Sequence, residues 1–374
     1  MMSLPNIQDL SENRWFDEVI RSGWSDDLPM SGSATGIGGD MGAKNTDFEV
    51  EEVPAYSPSG QGEHVYLWIE KNGKGTPEAI KEIIKAFGVK EIDIGYAGKK
   101  DAHAVTRQWV SIHTPSDDNA PIDQLNDLGW LRVLRTTRHA NKLRLGHLKG
   151  NIFKVRIVET TQDDDAIQSA IDNLRQQGFI NYFGKQRFGF DGGNVAEGMA
   201  ILAGKRAPHQ KRLLVVSAVQ SAIFNLMAAA RFDKSGNIAF AGDVLQKINA
   251  GCFVCDDPQI DTPRIAAGEV AITLPLFGKK VMPAHGDVSA FETQAAQAFF
   301  AHWQADENAA HGAAFDTATL AKFAAGDRRQ FVILPSLLNF IRIDTSCIDV
   351  HFALPSGCYA TVLLRHLCGT SFTR

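Results

Sequence analysis

Asp101 stands at the end of a glycine turn, in the run Gly95 to Ile112 that reads GYAGKKDAHAVTRQWVSI. Ile92 and Ile94 mark a strand leading into the turn, and Trp109 to His113 read as the strand that follows. The glycines allow a sharp reversal and leave the next side chains exposed on a fixed loop. An ionised carboxylate in that position can act as nucleophile or base, and nearby cations such as Lys44 or Lys100 favour its charged form and could also hold phosphates. The plain alternative is that Asp101 only closes its own turn, as aspartates commonly do. The residues by themselves leave both readings open.

Other chemistries find less support. Cys252 and Cys255 form one C-x-x-C, but a structural zinc site takes four ligands and no second pair lies nearby. The turn at Gly95 lacks the spacing of a phosphate loop and of a dinucleotide fingerprint. A glycosidase would need a second carboxylate at a defined separation, and none stands out beside Asp101. We therefore expect no metal and no cofactor. Five cysteines without a regular framework, and an N-terminus lacking a basic stretch followed by an apolar core, fit a cytoplasmic protein. Leu213 to Ala230 carries no charge, yet Ser217, Gln220, Ser221 and Asn225 give it a polar stripe, so we expect a half-buried soluble helix and no membrane span.

The net charge of −5 argues against a polyanionic partner until its distribution is considered. Leu131 to Ile157 holds eight basic side chains and no acid: Arg132, Arg135, Arg138, Lys142, Arg144, Lys149, Lys154 and Arg156. The remainder of the chain then carries −13. One basic stripe on an acidic body suits an enzyme that grips a nucleic acid in a groove, the alternative being a solvated face that binds nothing. His139 and His147 read as neighbours of phosphate or solvent rather than catalytic groups.

These residues need a scaffold. Residues 1–25 show no clear periodicity and read as a loosely attached extension, and Ser31 to Gly42 as a mobile linker or flap. Phe48, Val50 and Val53 mark a strand, and Val65, Leu67 and Ile69 alternate as another. Thr76-Pro77 opens a helix that Gly88 closes. Strand signals fade after Ala207, where Ser217 with Gln220 resembles a capping box opening the long helix, and they return at Ile348, Val350 and Phe352. This pattern predicts an α/β (α+β) body over 26–206 and 334–374, interrupted by an inserted domain over 207–333. Phe183, Phe188 and Trp109 read as core aromatics.

The run around Asp101 resembles the signature of the TruD family of tRNA pseudouridine synthases, in which a G-[YF]-A-G-x-K-D segment presents an aspartate. RHANKLRLGHLKGNIF from Arg138, NYFGKQRFG from Asn181 and LPSGCYATVLLRHL from Leu354 resemble three further family motifs, in order. Lys44 to Phe48 with Glu51 is similar to the N-terminal motif K-x-x-P-x-D-F-x-V-x-E, so the likeness spans residues 44–374. It implies a pseudouridine-synthase catalytic domain with a mixed, largely antiparallel sheet, interrupted by an inserted α/β domain specific to the family. It implies an isomerase that converts uridine, at position 13 of tRNA, to pseudouridine without a cofactor. Asp101 matches the catalytic aspartate. Phe48, Asn181 and Tyr359 match the uridine pocket, with Tyr359 where the motif usually has Phe; Lys44, Lys100 and Phe183 match its surround. Arg138, Lys142, Arg144 and Lys149 would hold the RNA backbone, and the protein would act as a monomer. A catalytically idle RNA-binding protein on the same scaffold is the alternative, and the intact motif around Asp101 favours the enzyme.

Overall fold

Trp15, Phe16, Val19 and Ile20 fall on one side of the helix α1 (Arg14–Ser22), and all four are buried. The N-terminal segment is therefore built into the fold rather than loosely attached. The indole of Trp303 donates to the Ile20 carbonyl at 3.0 Å, and Asn225 donates to the Gly23 carbonyl at 2.9 Å.

The computed structural model describes residues 4–32, 36–114, 121–248, 250–305 and 315–372. The chain divides into two compact units. One comprises Met1–Gly36, Asp172–Leu334 and Thr361–Thr370; the other comprises Ile37–Ile171, Pro335–Ala360 and Ser371–Arg374. Residues from Asp172 to Leu334 pack with the N-terminal segment and with Thr361–Thr370.

The second unit is a sheet covered by helix. Its strands are β1 (Gly38–Met41), β2 (Phe48–Pro54), β3 (His64–Asn72), β4 (Ile94–Tyr96), β5 (Val105–His113), β6 (Leu131–His139) and β7 (Leu148–Thr160). After β3 comes α2 (Thr76–Phe87), with Gly88 left-handed at its end as the sequence suggests. Two strands from the end of the chain, Ser336–Asp344 and Cys347–Pro355, extend the order to Ser336–Asp344, Cys347–Pro355, β7, β2, β5, β3, β6. β1 pairs with β7 and β4 with β5. Every pairing is antiparallel except β2 with β5, so the sheet is mixed and largely antiparallel as expected. The Gly/Ser-rich stretch before β2 is thus partly a paired strand, and its first residue, Ser31, is buried in the other unit with its hydroxyl on the Gly178 carbonyl. Val65, Leu67 and Ile69 of β3 and Ile80 and Ile83 of α2 share one core with Val110 and Ile112 of β5.

The other unit is organised round one long helix, His209–Ser235. This helix begins at His209, two turns before Ser217, so Ser217 and Gln220 lie in its interior rather than at a cap. It is also buried far more than half, with Val215 to Arg231 enclosed apart from Ser217. The polar stripe faces protein. Gln220 donates to the carbonyls of Phe277 and Ala325 at 2.7 and 2.9 Å, and Asn225 exchanges bonds with the backbone of Phe183. Arg231, fully buried, meets Asp243 through two bonds of 2.7 Å.

Candidate active site

Asp101 lies in the connection between β4 and β5, and its side chain is exposed. Among the described residues no group bonds its carboxylate. The carbonyls of the turn, by contrast, are held from the protein side. Ala97 O accepts from the Gly146 amide at 2.8 Å, and Gly98 O accepts from Gln108 at 3.1 Å. Gln108 in turn accepts from the Thr76 hydroxyl at 2.8 Å, and Thr76 accepts from the Lys100 amide at 2.9 Å. Thr76 therefore ties the start of α2 to the turn instead of capping the helix. The ammonium of Lys71, at the end of β3, donates to Asp101 O at 2.7 Å, Lys74 O at 2.7 Å and Lys100 O at 3.4 Å. Gly95 is required by close approach, because a Cβ there would sit 2.2 Å from the Leu143 carbonyl. The segment 141–147 can consequently lie directly against the turn.

Lys100 faces inward. Its ammonium lies 3.0 Å from Glu52 Oε2, with side-chain exposures of 6% and 1%. The reason is visible in the ladder: β2 runs beside β5 only as far as Glu51 and Arg107, and β4 takes over from Val110. The Trp109 amide falls in the gap, and Glu52 accepts it at 3.3 Å. Burial raises the Glu52 carboxyl above its ordinary range, while the Lys100 ammonium pulls it part-way back. Glu51, the acid matched from sequence, lies on the opposite face of β2 near Arg107, so the interior acid is its neighbour. The period of two along Phe48, Val50 and Glu52 carries that information.

Phe48 ends a row of stacked rings. Its centroid is 6.1 Å from Phe153, which is 5.1 Å from Phe352, each pair inclined at 18°. Only 8% of Phe48 is exposed. Tyr359 is half-buried immediately before the last helix, and Lys44 is exposed, its amide donating to Asp47 at 2.9 Å.

The basic stripe is thinner than its composition suggests. Arg156 forms two bonds with Asp349, at 2.8 and 3.0 Å, and Lys154 lies 3.3 Å from Glu49 and 3.6 Å from Asp349. Burial opposes the charge on Asp349, but the Arg156 and Lys154 contacts hold its carboxyl below the ordinary range. Arg138 donates to the carbonyls of Gly62 and Thr114, and Lys142 to that of Ile92. Arg135, Arg144 and Lys149 remain exposed.

Asn181 and Phe183 belong to the other unit, where Arg329 organises both. Arg329 donates to Asn181 Oδ1 at 2.7 Å and to the Asn181 carbonyl at 3.1 Å, and its guanidinium lies 4.0 Å from the Phe183 ring centroid. Asn181 also donates to the Gln330 carbonyl at 2.9 Å. Arg329, Glu52 and Lys71 were not singled out by the sequence reading.

The fold, a mixed and mostly antiparallel sheet and a helical unit, is shared with a solved structure. A crystal structure assigned as tRNA pseudouridine synthase D (TruD) from Methanosarcina mazei matches the fold with a TM-score of 0.67 over 98% of each chain, at 19% identity. The model of the family tRNA pseudouridine synthase D (TruD) matches residues 30–206 and 195–367. The chain belongs to that family. It is 38% identical over 354 residues to tRNA pseudouridine synthase D of Anaeromyxobacter sp. (strain Fw109-5), covering 91% of this chain and 96% of that one. It is 35% identical over 328 residues to tRNA pseudouridine synthase D of Pseudomonas putida (strain W619), covering 86% and 88%.

Proposed function

We propose that this chain isomerises a uridine in transfer RNA to pseudouridine, at position 13 as the resemblance implies, with Asp101 as the catalytic carboxylate. The observation that carries the reading is the state of Asp101: its backbone is bonded into the fold while its carboxylate is exposed and does no structural work. An aspartate that merely closed its turn would spend its oxygens on backbone amides.

The reaction breaks the N1–C1′ bond, turns the uracil and forms a C5–C1′ bond; C5 then loses its proton and N1 gains one. An ionised Asp101 can attack C1′, remove the C2′ proton or add to C6, and each route needs the carboxylate charged and open to the substrate. The uridine must leave the RNA stack, so aromatic groups offer it a surface, a role we assign to Phe48 and Tyr359. In the other unit, Arg329 and the Gln330 carbonyl hold the two ends of the Asn181 amide, with Phe183 beside it.

The test is tritium release from tRNA labelled at uridine C5, with tRNA affinity and melting temperature measured on the same preparation. Asp101→Asn keeps size and removes charge. Turnover should vanish while affinity and folding persist; retained turnover would refute the assignment.

A further inference from the structure

Lys71 continues the inward face of β3 after Val65, Leu67 and Ile69, a row in which an aliphatic residue would fit the core without penalty. Its side chain is wholly buried. A buried ammonium is expensive unless its protons find acceptors. All three acceptors here are main-chain carbonyls from two separate loops: Lys74 before α2, and Lys100 and Asp101 in the candidate catalytic turn. The charged groups that act on Lys71 are Asp101 and Glu78, which favour its charge, and Lys100, which opposes it. Lys100 is itself matched by Glu52 at 3.0 Å, which leaves Lys71 as a buried cation with no carboxylate among the described residues bonded to it.

We infer that Lys71 is a positioning residue for the isomerisation: its ammonium draws the Asp101 carbonyl toward the core and thereby fixes the direction in which the Asp101 carboxylate leaves the turn. The inference rests on the assignment of Asp101 as the reacting group. A carbonyl and side chain share one Cα, so a peptide plane clamped at its oxygen restricts where the carboxylate can stand. Gln108 on Gly98 and Gly146 on Ala97 hold the earlier part of the turn, and Lys71 is the side chain that holds its end. Misplacing a reacting group by about 1 Å can cost on the order of a hundredfold in rate.

The experiment compares wild type, Lys71→Met, Lys71→Gln and Asp101→Asn by single-turnover tritium release, tRNA affinity and thermal melting. Lys71→Met keeps the volume and removes all three donors; it should lower the rate constant roughly ten- to a hundredfold while tRNA affinity stays within about twofold. Lys71→Gln restores up to two donors and should recover part of the rate. An unchanged rate in Lys71→Met, or equal losses in rate and affinity, overturns the inference. So does collapse of the melting temperature in both lysine variants, which would assign Lys71 to stability alone. An active Asp101→Asn protein would instead remove the underlying assignment, so the two failures are distinct.

Discussion

The ammonium of Lys100, the residue before Asp101, and the Glu52 carboxylate lie 3.0 Å apart in an almost closed interior. A lysine that reads from sequence as a phosphate contact is therefore neutralised within the protein. Removing one member of such a pair leaves the other charged and unmatched, so Glu52→Gln should destabilise the fold by about 3–5 kcal/mol. Adding Lys100→Met to it should return much of that loss. Urea denaturation of the single and double variants checks this, and tRNA affinity of the folded fraction should not change.

Salt dependence separates the remaining basic residues. Arg144→Ala and Lys149→Ala should each flatten the slope of log K against log salt by roughly 0.7–0.9 if they meet phosphates. Arg138→Ala should mainly lower the melting temperature, because its guanidinium serves the carbonyls of Gly62 and Thr114. Binding titrations at several salt concentrations distinguish the two groups.

Truncating Phe48 to Ala opens the aromatic row and should cost about 3–5 kcal/mol of stability, which would obscure any effect on substrate. Phe48→Leu is the informative change. It fills most of the volume but offers a base no ring, so substrate binding should weaken by roughly 1–3 kcal/mol with a smaller loss of stability. Tyr359→Phe should be mild. Affinity and turnover measured beside melting would contradict the pocket assignment if Phe48→Leu behaved as wild type.

Lys71 predicts an alkaline effect of definite sign. Burial lowers its pKa to about 8, against 10.5 for an ordinary lysine. Between those values the unfolded chain holds a proton that the folded protein has released, so this group makes stability rise as pH increases from about 8 to 10.5. Below about 8 the cost of burying the charge is felt in full. Stability measured by urea across this range should show a steeper rise in wild type than in Lys71→Met; parallel curves would contradict it.

Much of this architecture is legible in the sequence because alternation and glycine stops are local signals. Val65, Leu67 and Ile69, the helix from Thr76 to Gly88 and the glycine turn before Asp101 all have that character. The parity of β2 points equally to Glu52, and that of β3 to Lys71, but a charged residue in an inward position looks like the end of a strand until its acceptors are known. The spacing of Trp15, Phe16, Val19 and Ile20 carries a helical signal too short to compete with its polar surroundings. Arg329 is different: only the fold brings it to Asn181, across 148 positions of chain. The long helix at His209 was readable as helical, whereas its enclosure depends on partners distant in sequence.

The interleaving of the two units bears on how the protein is made. Each is assembled from early and late parts of the chain, so neither can close while the ribosome is still working through the middle. Strand β7 is translated long before Cys347–Pro355, the strand that pairs along it from Gly150 to Ile157. Until that strand emerges, part of a 13-residue strand has an open hydrogen-bonding edge, the kind of surface that recruits wrong partners. The helical unit likewise awaits Thr361–Thr370. A nascent chain halted before Pro335 thus carries two unfinished bodies rather than one finished domain followed by another.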